Sequence, residues 1–286
     1  MTTMTTGELV GKTFVVTGPN TGIGRATVEA LAKRGASRIV LCARSRERTQ
    51  PVIDALHSAG ADSEIVFVPL DLADLSAVRH AAERILELDC AIDALINNAG
   101  IAGIRGQTKD GFELTFGTNH LGHFLLTEEL LPLVRRAPRG RIVIVSSRGH
   151  YRARGIDWDA LTEPTRSFSA MPEYFVSKLA NVLHAKALAR RLADSSVTTY
   201  SLHPGGVASD IYQRRLGAFA VLLRPFLITN QEGARTQLRC ATEPDLAGES
   251  GLYYHDERPK TPSALALDER LQDELFERSQ QWIRSQ

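Results

Sequence analysis

Three cysteines, Cys42, Cys90 and Cys240, are all that the 286 residues contain, and they lie far apart. No C-x-x-C pair or Cys/His cluster accompanies them. That argues against a zinc site or a disulfide framework and suits reduced thiols in a cytosol. An excess of one charge is missing too. The 34 Lys and Arg face 33 Asp and Glu, so there is no electrostatic footprint for nucleic acid or an anionic membrane. The opening MTTMTTGELVGK has neither a basic region nor an apolar run, so no signal peptide is expected. No apolar stretch reaches membrane-spanning length. The greasiest, LGAFAVLLRPFLI at 216–228, is too short and is broken by Arg224 and Pro225. Repeats, low-complexity linkers and composition breaks are also lacking, so one domain over 1–286 is expected.

What is present is a rhythm. Short β-branched runs at 12–17, 38–42, 64–68, 91–96, 141–145 and 197–202 read as strands, and GLYYH at 251–255 adds one more. Their continuous apolar character suits strands buried on both faces of a parallel sheet. Helical patterns fall near 23–34, 47–59, 74–88, 113–136, 172–193 and 265–284. Such alternation predicts right-handed βαβ units and an α/β, doubly wound parallel sheet of about seven strands with helices on both faces.

Directly after the first strand comes TGPNTGIGR, Thr17 to Arg25, opening a helix. Glycines there let backbone approach a pyrophosphate, while the helix N-terminus offers free N–H groups and the positive end of its dipole. The alternative is a tight turn with no ligand. Pro19 removes one N–H from the turn. A second feature is YFVSK at 174–178, which puts a phenol and an ammonium at i and i+4, one above the other on a helix face. Alone it reads equally as a surface pair.

The spacing Gly18-x-x-x-Gly22-x-Gly24 resembles the short-chain dehydrogenase/reductase family, whose pattern after the first strand is T-G-x-x-x-G-I-G. Within that family, TFGTNHLGHFLLT (115–127) and SKLANVLHAKALARRL (177–192) resemble the retinol dehydrogenase branch. The likeness runs from about residue 10 to 210. It implies a Rossmann-type fold and hydride transfer between a nicotinamide and a carbonyl or carbinol carbon. It also implies residue roles. Gly18, Asn20, Thr21, Gly22, Ile23 and Gly24 would cradle the pyrophosphate. Asp71 and the N–H of Leu72 would meet the adenine, and Asn98, Ala99 and Gly100 the adenosine ribose. In HPGGVAS, Pro204, Gly205 and Val207 match the family, while Ser209 replaces its threonine at the nicotinamide carboxamide.

The same resemblance makes YFVSK a reacting pair. Tyr174 would be the general acid/base, with Lys178 favouring its phenolate and holding the nicotinamide ribose. A free tyrosine titrates near ~10, too high for a base at neutral pH, so a neighbouring cation is useful. Ser147, the second serine of VSS, would hold the substrate oxygen, and Asn119 a water linking Lys178 to solvent. For the cofactor, CARSR after the second strand has Ala43 and Arg44 where NAD-preferring proteins place an acid. A guanidinium pairs with a 2′-phosphate, so NADP(H) is expected, with Arg46 and Arg25 next in line.

Other readings fit less well. VSSRG is not a nucleophile elbow. His120 and His123 lack a third metal ligand and read as packing residues; His150, near Ser147 with no acid to orient it, reads as a loop residue. A non-catalytic NADP(H)-binding protein would be expected to lose Tyr, Lys or Ser, and none is lost. Enoyl reduction keeps the fold but makes less use of Ser147. The greasy segment 210–228 has three readings: a lid over a lipophilic substrate within about 208–232, packing on the protein's own helices or a second subunit, or a shallow peripheral membrane contact.

Overall fold

A computed structural model of the chain describes residues 7–205, 228–246 and 248–286. Its centre is one eight-stranded sheet in the order β3-β2-β1-β4-β5-β6-β7-β8. The elements are β1 (Thr13–Thr17), α1 (Gly22–Lys33), β2 (Arg38–Ala43), α2 (Arg46–Ser58), β3 (Glu64–Pro69), α3 (Leu75–Leu86) and β4 (Ala94–Asn97). A short α4 (Leu114–Phe116), a π-helical turn Gly117–Leu121 and α5 (Gly122–Val134) come next, then β5 (Arg141–Val145), α6 (Met171–Arg191) and β6 (Thr198–His203). The chain closes with α7 (Asn230–Thr242), β7 (Leu252–His255), β8 (Arg258–Lys260), α8 (Ala264–Leu267) and α9 (Glu269–Arg284).

All neighbouring strands are parallel except β7 and β8. Strand alternation splits the core in two. Val15, Val40, Leu95, Ile142 and Ile144 face α3, α5, α6 and α9, whereas Phe14, Val16, Ile39, Leu41, Val143 and Tyr200 face α1, α2 and α7. Strands buried on both faces have little polar sequence to alternate, hence their continuous apolar runs. The order reverses between β1 and β4, where an open α/β sheet binds its ligands at the carboxyl ends of its strands.

Several expected boundaries move. The strand expected at 91–96 begins at Ala94, just after Asp93, whose carboxylate accepts from Lys12 Nζ (2.7 Å) and the Thr13 amide (2.9 Å). The single helix expected over 113–136 is interrupted by the π-helical turn. The antiparallel β8 was not expected at all. Asp256 and Glu257 turn the chain with φ of 51° and 61°, as a two-residue hairpin of the primed type requires. Pro259 and two flanking cations then blunt the sheet's edge. Helix α7 was likewise unforeseen, although Thr229 and Glu232 form a full capping box at its start. Among the described residues no helix is long and apolar enough to cross a membrane.

Candidate active site

The glycines after β1 are each there for a reason. Gly18 and Gly22 have φ of +66° and +55°, in the left-handed region. At Gly24 a Cβ would strike the Gly18 carbonyl and lie 2.6 Å from the Asn98 amide nitrogen. Above Gly22 the nearest atom to an added Cβ is Asn230 Oδ1 at 3.9 Å, so the backbone there is approachable. The start of α1 is also left uncapped. Thr21 makes no side-chain cap bond and the first turn has no acid, whereas α2 and α3 are capped by Ser45 and Asp74. Open N–H groups and an unneutralised dipole suit a pyrophosphate, so the turn, with Asn20 within it and Ile23 at the start of α1, fits a dinucleotide.

Thr17 knits this turn to the next strand end. Its hydroxyl accepts from the amides of Asn98 (2.9 Å) and Ala99 (3.0 Å), and the Asn98 side chain donates to the Thr17 carbonyl (2.8 Å). With both lone pairs used, the Thr17 hydroxyl donates to His123 Nε2 at 2.9 Å, and His123 Nδ1–H donates to the Asn119 carbonyl at 3.1 Å. His123 is therefore neutral, and burial pushes its pKa down to about 4. Neither Thr17 nor His123 was singled out for this link from the sequence; H-L-G-H read only as a packing pair.

Asn119 lies in the π-helical turn, fully buried. Its amide accepts from Ile101 N (2.8 Å) and donates to Ile101 O (2.9 Å) and Ser177 Oγ (3.1 Å). Both amide hydrogens are thus used. A water can bond here only by donating to Oδ1 or to the main-chain carbonyl. Gly100 sits against this group, since a Cβ on it would be 3.2 Å from Asn119 Oδ1 and 3.4 Å from Lys178 Nζ.

Lys178 is buried on α6, with Nζ donating to the Val145 carbonyl at 3.0 Å and lying 5.8 Å from the centre of the Tyr174 ring. No carboxylate pairs with it among the described residues, and burial brings its pKa down to about 8. A buried ammonium without a counter-charge is costly, and it favours an anion beside it. The two serines after β5 divide their tasks. Ser146 is buried and donates to the Lys178 carbonyl (2.6 Å), anchoring α6 to the strand end. Ser147 is half-buried and accepts from the Gly149 amide at 3.1 Å. A Cβ on Gly149 would be 3.3 Å from Tyr174 Cε1, so the turn whose amide holds Ser147 Oγ lies against the phenol ring.

The remaining expected residues lie along the same edge. Asp71 accepts from the Ala73 amide at 3.1 Å, and the Leu72 carbonyl abuts Gly122 at the start of α5. Arg44 is exposed and has no hydrogen bond or ion pair among the described residues. By contrast Arg25 pairs with Glu29 at 2.7 Å, and Arg46 lies over the Phe67 ring at 5.5 Å. Pro204 and Gly205 follow β6 directly, Gly205 with φ +93°. Val207 and Ser209 lie outside the described residues, as does the expected lid up to residue 227. Its last part, from Asn230, is the first turn of α7, which packs on α1. His120 and His184 are buried among Phe124 and Phe276, their rings 5.6 Å apart, a packing cluster of neutral imidazoles.

Known proteins resemble the chain along most of its length. A family model described as short chain dehydrogenase matches residues 12–156. Dehydrogenase/reductase SDR family member 13 of Bos taurus is 40% identical over 278 residues, covering 95% of this chain and 73% of the relative. Retinol dehydrogenase 11 of Mus musculus is 41% identical over 252 residues, covering 87% and 79%. A crystal structure of an uncharacterised protein from Mycobacterium paratuberculosis superposes with a TM-score of 0.76 at 31% identity, covering 96% of this chain and 93% of that one. The chain therefore belongs to the short-chain dehydrogenase/reductase family, in its retinol dehydrogenase-like branch, and is an oxidoreductase of alcohol and carbonyl groups that uses a nicotinamide cofactor.

Proposed function

We propose that the protein is an NADP(H)-dependent alcohol dehydrogenase or carbonyl reductase for lipophilic substrates, with Tyr174 as its general acid/base. The observation that carries this reading is the placement of Ser147, Tyr174 and Lys178 around one turn at the sheet's carboxyl edge. When bound, the nicotinamide supplies or accepts the hydride. The chain's part is to bind, orient and move a proton. Carbonyl reduction leaves an alkoxide, which the Tyr174 hydroxyl protonates; in the reverse direction its phenolate takes the alcohol's proton. The Lys178 ammonium, with no carboxylate beside it among the described residues, stabilises that phenolate, each unit of pKa shift being worth about 1.4 kcal/mol. Ser147 donates to the substrate oxygen as charge grows on it. The glycine turn with Asn20, Thr21 and Ile23, the Asp71–Leu72 and Asn98–Gly100 strand ends, Pro204, Gly205, Val207 and Ser209 hold the dinucleotide.

For cofactor choice the reading rests on Arg44, a cation just past β2 with no ion pair among the described residues. Its charge-assisted contact with a 2′-phosphate is worth about 1.5–3 kcal/mol. Arg44→Ala is expected to raise the KM for NADPH far more than that for NADH. Equal effects on both would move the contact to Arg46 or Arg25.

Lipophilic specificity rests on the apolar segment 210–228 and on relatives named for retinol. Burying that segment's side chains over a ligand would contribute roughly 25 cal/mol per Å² of apolar surface. A panel of alcohols, aldehydes and ketones, followed by the near-ultraviolet absorbance of reduced nicotinamide, tests the assignment. Retinal-like or medium- to long-chain carbonyls are expected to exceed small polar ones in kcat/KM. Preference for short hydroxylated aldehydes would contradict it, as would a Phe219→Asp variant with full activity on long substrates.

A further inference from the structure

His150 is buried on the turn that follows Ser147, and its two ring nitrogens face partners of opposite kind. Nδ1 is 2.7 Å from the Ser147 carbonyl oxygen, which can only accept. Nε2 is 3.1 Å from the Ser263 backbone N–H, which can only donate. Both bonds exist together in one form alone, the neutral imidazole with its proton on Nδ1. The ring is held in that orientation by Tyr151 and Tyr253, with centroids 4.0 Å and 4.7 Å away. Tyr151 adds a second tie to the same segment, its hydroxyl donating to the Thr261 carbonyl at 2.5 Å.

From this arrangement we infer that His150 is a positioning residue for Ser147, bracing it against the C-terminal segment 261–263. The Ser147 carbonyl takes two hydrogen bonds from His150, one from the ring and one from the backbone amide at 3.1 Å. That fixes the peptide plane following Ser147, while the Gly149 amide, on a turn that lies against the Tyr174 ring, holds Oγ. Ser263 is itself anchored as the N-cap of α8, where its Oγ accepts from Ala266. Strand β7 and the segment after it thereby support the reacting serine from behind. The inference rests on the proposed role of Ser147.

Three substitutions separate the two bonds. His150→Phe keeps ring packing against Tyr151 and Tyr253 and loses both. An asparagine amide nitrogen falls near the Nδ1 position, so His150→Asn keeps the bond to Ser147 and gives up Ser263. His150→Gln puts an amide oxygen near Nε2 and so keeps Ser263 and gives up Ser147. With a carbonyl substrate turned over by the wild type, His150→Phe is expected to lower kcat roughly 10–100-fold, as small misplacements of a reacting group do. NADPH affinity by fluorescence titration should stay within about two-fold, because the dinucleotide contacts lie elsewhere. Asn should recover most of kcat and Gln should not. Full kcat in the Phe variant, or equal loss in Asn and Gln, would overturn the inference. Long-range proton–nitrogen NMR of the wild type gives a reading independent of any variant's folding: the expected signal is a neutral, Nδ1-protonated His150, and an Nε2-protonated or cationic ring overturns it. A wild type with no turnover on any carbonyl fails the proposed function instead, whatever the NMR shows.

Discussion

Replacing Tyr174 by Phe is expected to lower kcat by a factor on the order of 10²–10⁴ while NADPH binds almost normally. The ring stays; only the hydroxyl goes. The benzyl group still fills the space beside Gly149, where a Cβ would be 3.3 Å from Cε1, so the Ser147 turn has no reason to move. What is lost, on the proposed function, is the proton donor for the alkoxide in reduction and the base in oxidation. Stopped-flow turnover together with a cofactor titration separates the two effects. Retention of most activity would remove Tyr174 from the chemistry and overturn the reading of YFVSK as a reacting pair.

The second large effect joins stability to function at Lys178. Its ammonium is buried, lacks a carboxylate among the described residues, and has its pKa lowered to about 8. The unfolded chain keeps an ordinary lysine near ~10.4. Below pH ~8 the group is charged in both states, and the folded state bears the full desolvation cost. Between about 8 and about 10.4 the unfolded state binds the extra proton, so this group's penalty fades as pH rises. Lys178→Met therefore is expected to stabilise the cofactor-free protein at pH ~7, by up to a few kcal/mol, with a gap that narrows toward pH ~10. The Val145 carbonyl is not orphaned by the change, because Asn181 Nδ2 also donates to it at 3.0 Å. On the proposed function the same variant should lose turnover about as severely as Tyr174→Phe and bind NADPH more weakly, since Lys178 would there supply both the phenolate's counter-charge and a ribose contact. Thermal unfolding at several pH values checks the stability half. A destabilised variant at neutral pH would mean that Lys178 is not the strained charge described.

Much of the fold was legible because parallel strands buried on both faces leave nothing but apolar runs, as RIVIV at β5 illustrates. Less legible were features whose cause is non-local. The hairpin β7–β8 turns on two acidic residues in left-handed conformation, with no Asn-Gly to announce it. The break within 113–136 is a π-helical turn whose register is held by Asn119 clasping Ile101, 18 residues earlier. The site shows the same division. Glycines at 18, 22 and 24 and the i, i+4 pair at 174 and 178 are local patterns tied to local geometry. That Ser146 anchors α6, that Thr17 and His123 bridge to Asn119, and that His150 meets Ser263 are contacts between distant segments. A serine or histidine gives no sign in sequence of which partner it will find.

The proposed function passes hydride between a nicotinamide and a carbonyl carbon in this site. It is tested most directly by incubating the wild-type protein with a long-chain aldehyde and NADPH carrying deuterium at C4, labelled on one face or the other. The account predicts that the product alcohol, examined by mass spectrometry, gains one deuterium at its carbinol carbon from one of the two labelled cofactors and not from the other. Alcohol formed without deuterium from either cofactor, or no alcohol at all across the carbonyl panel, would contradict it.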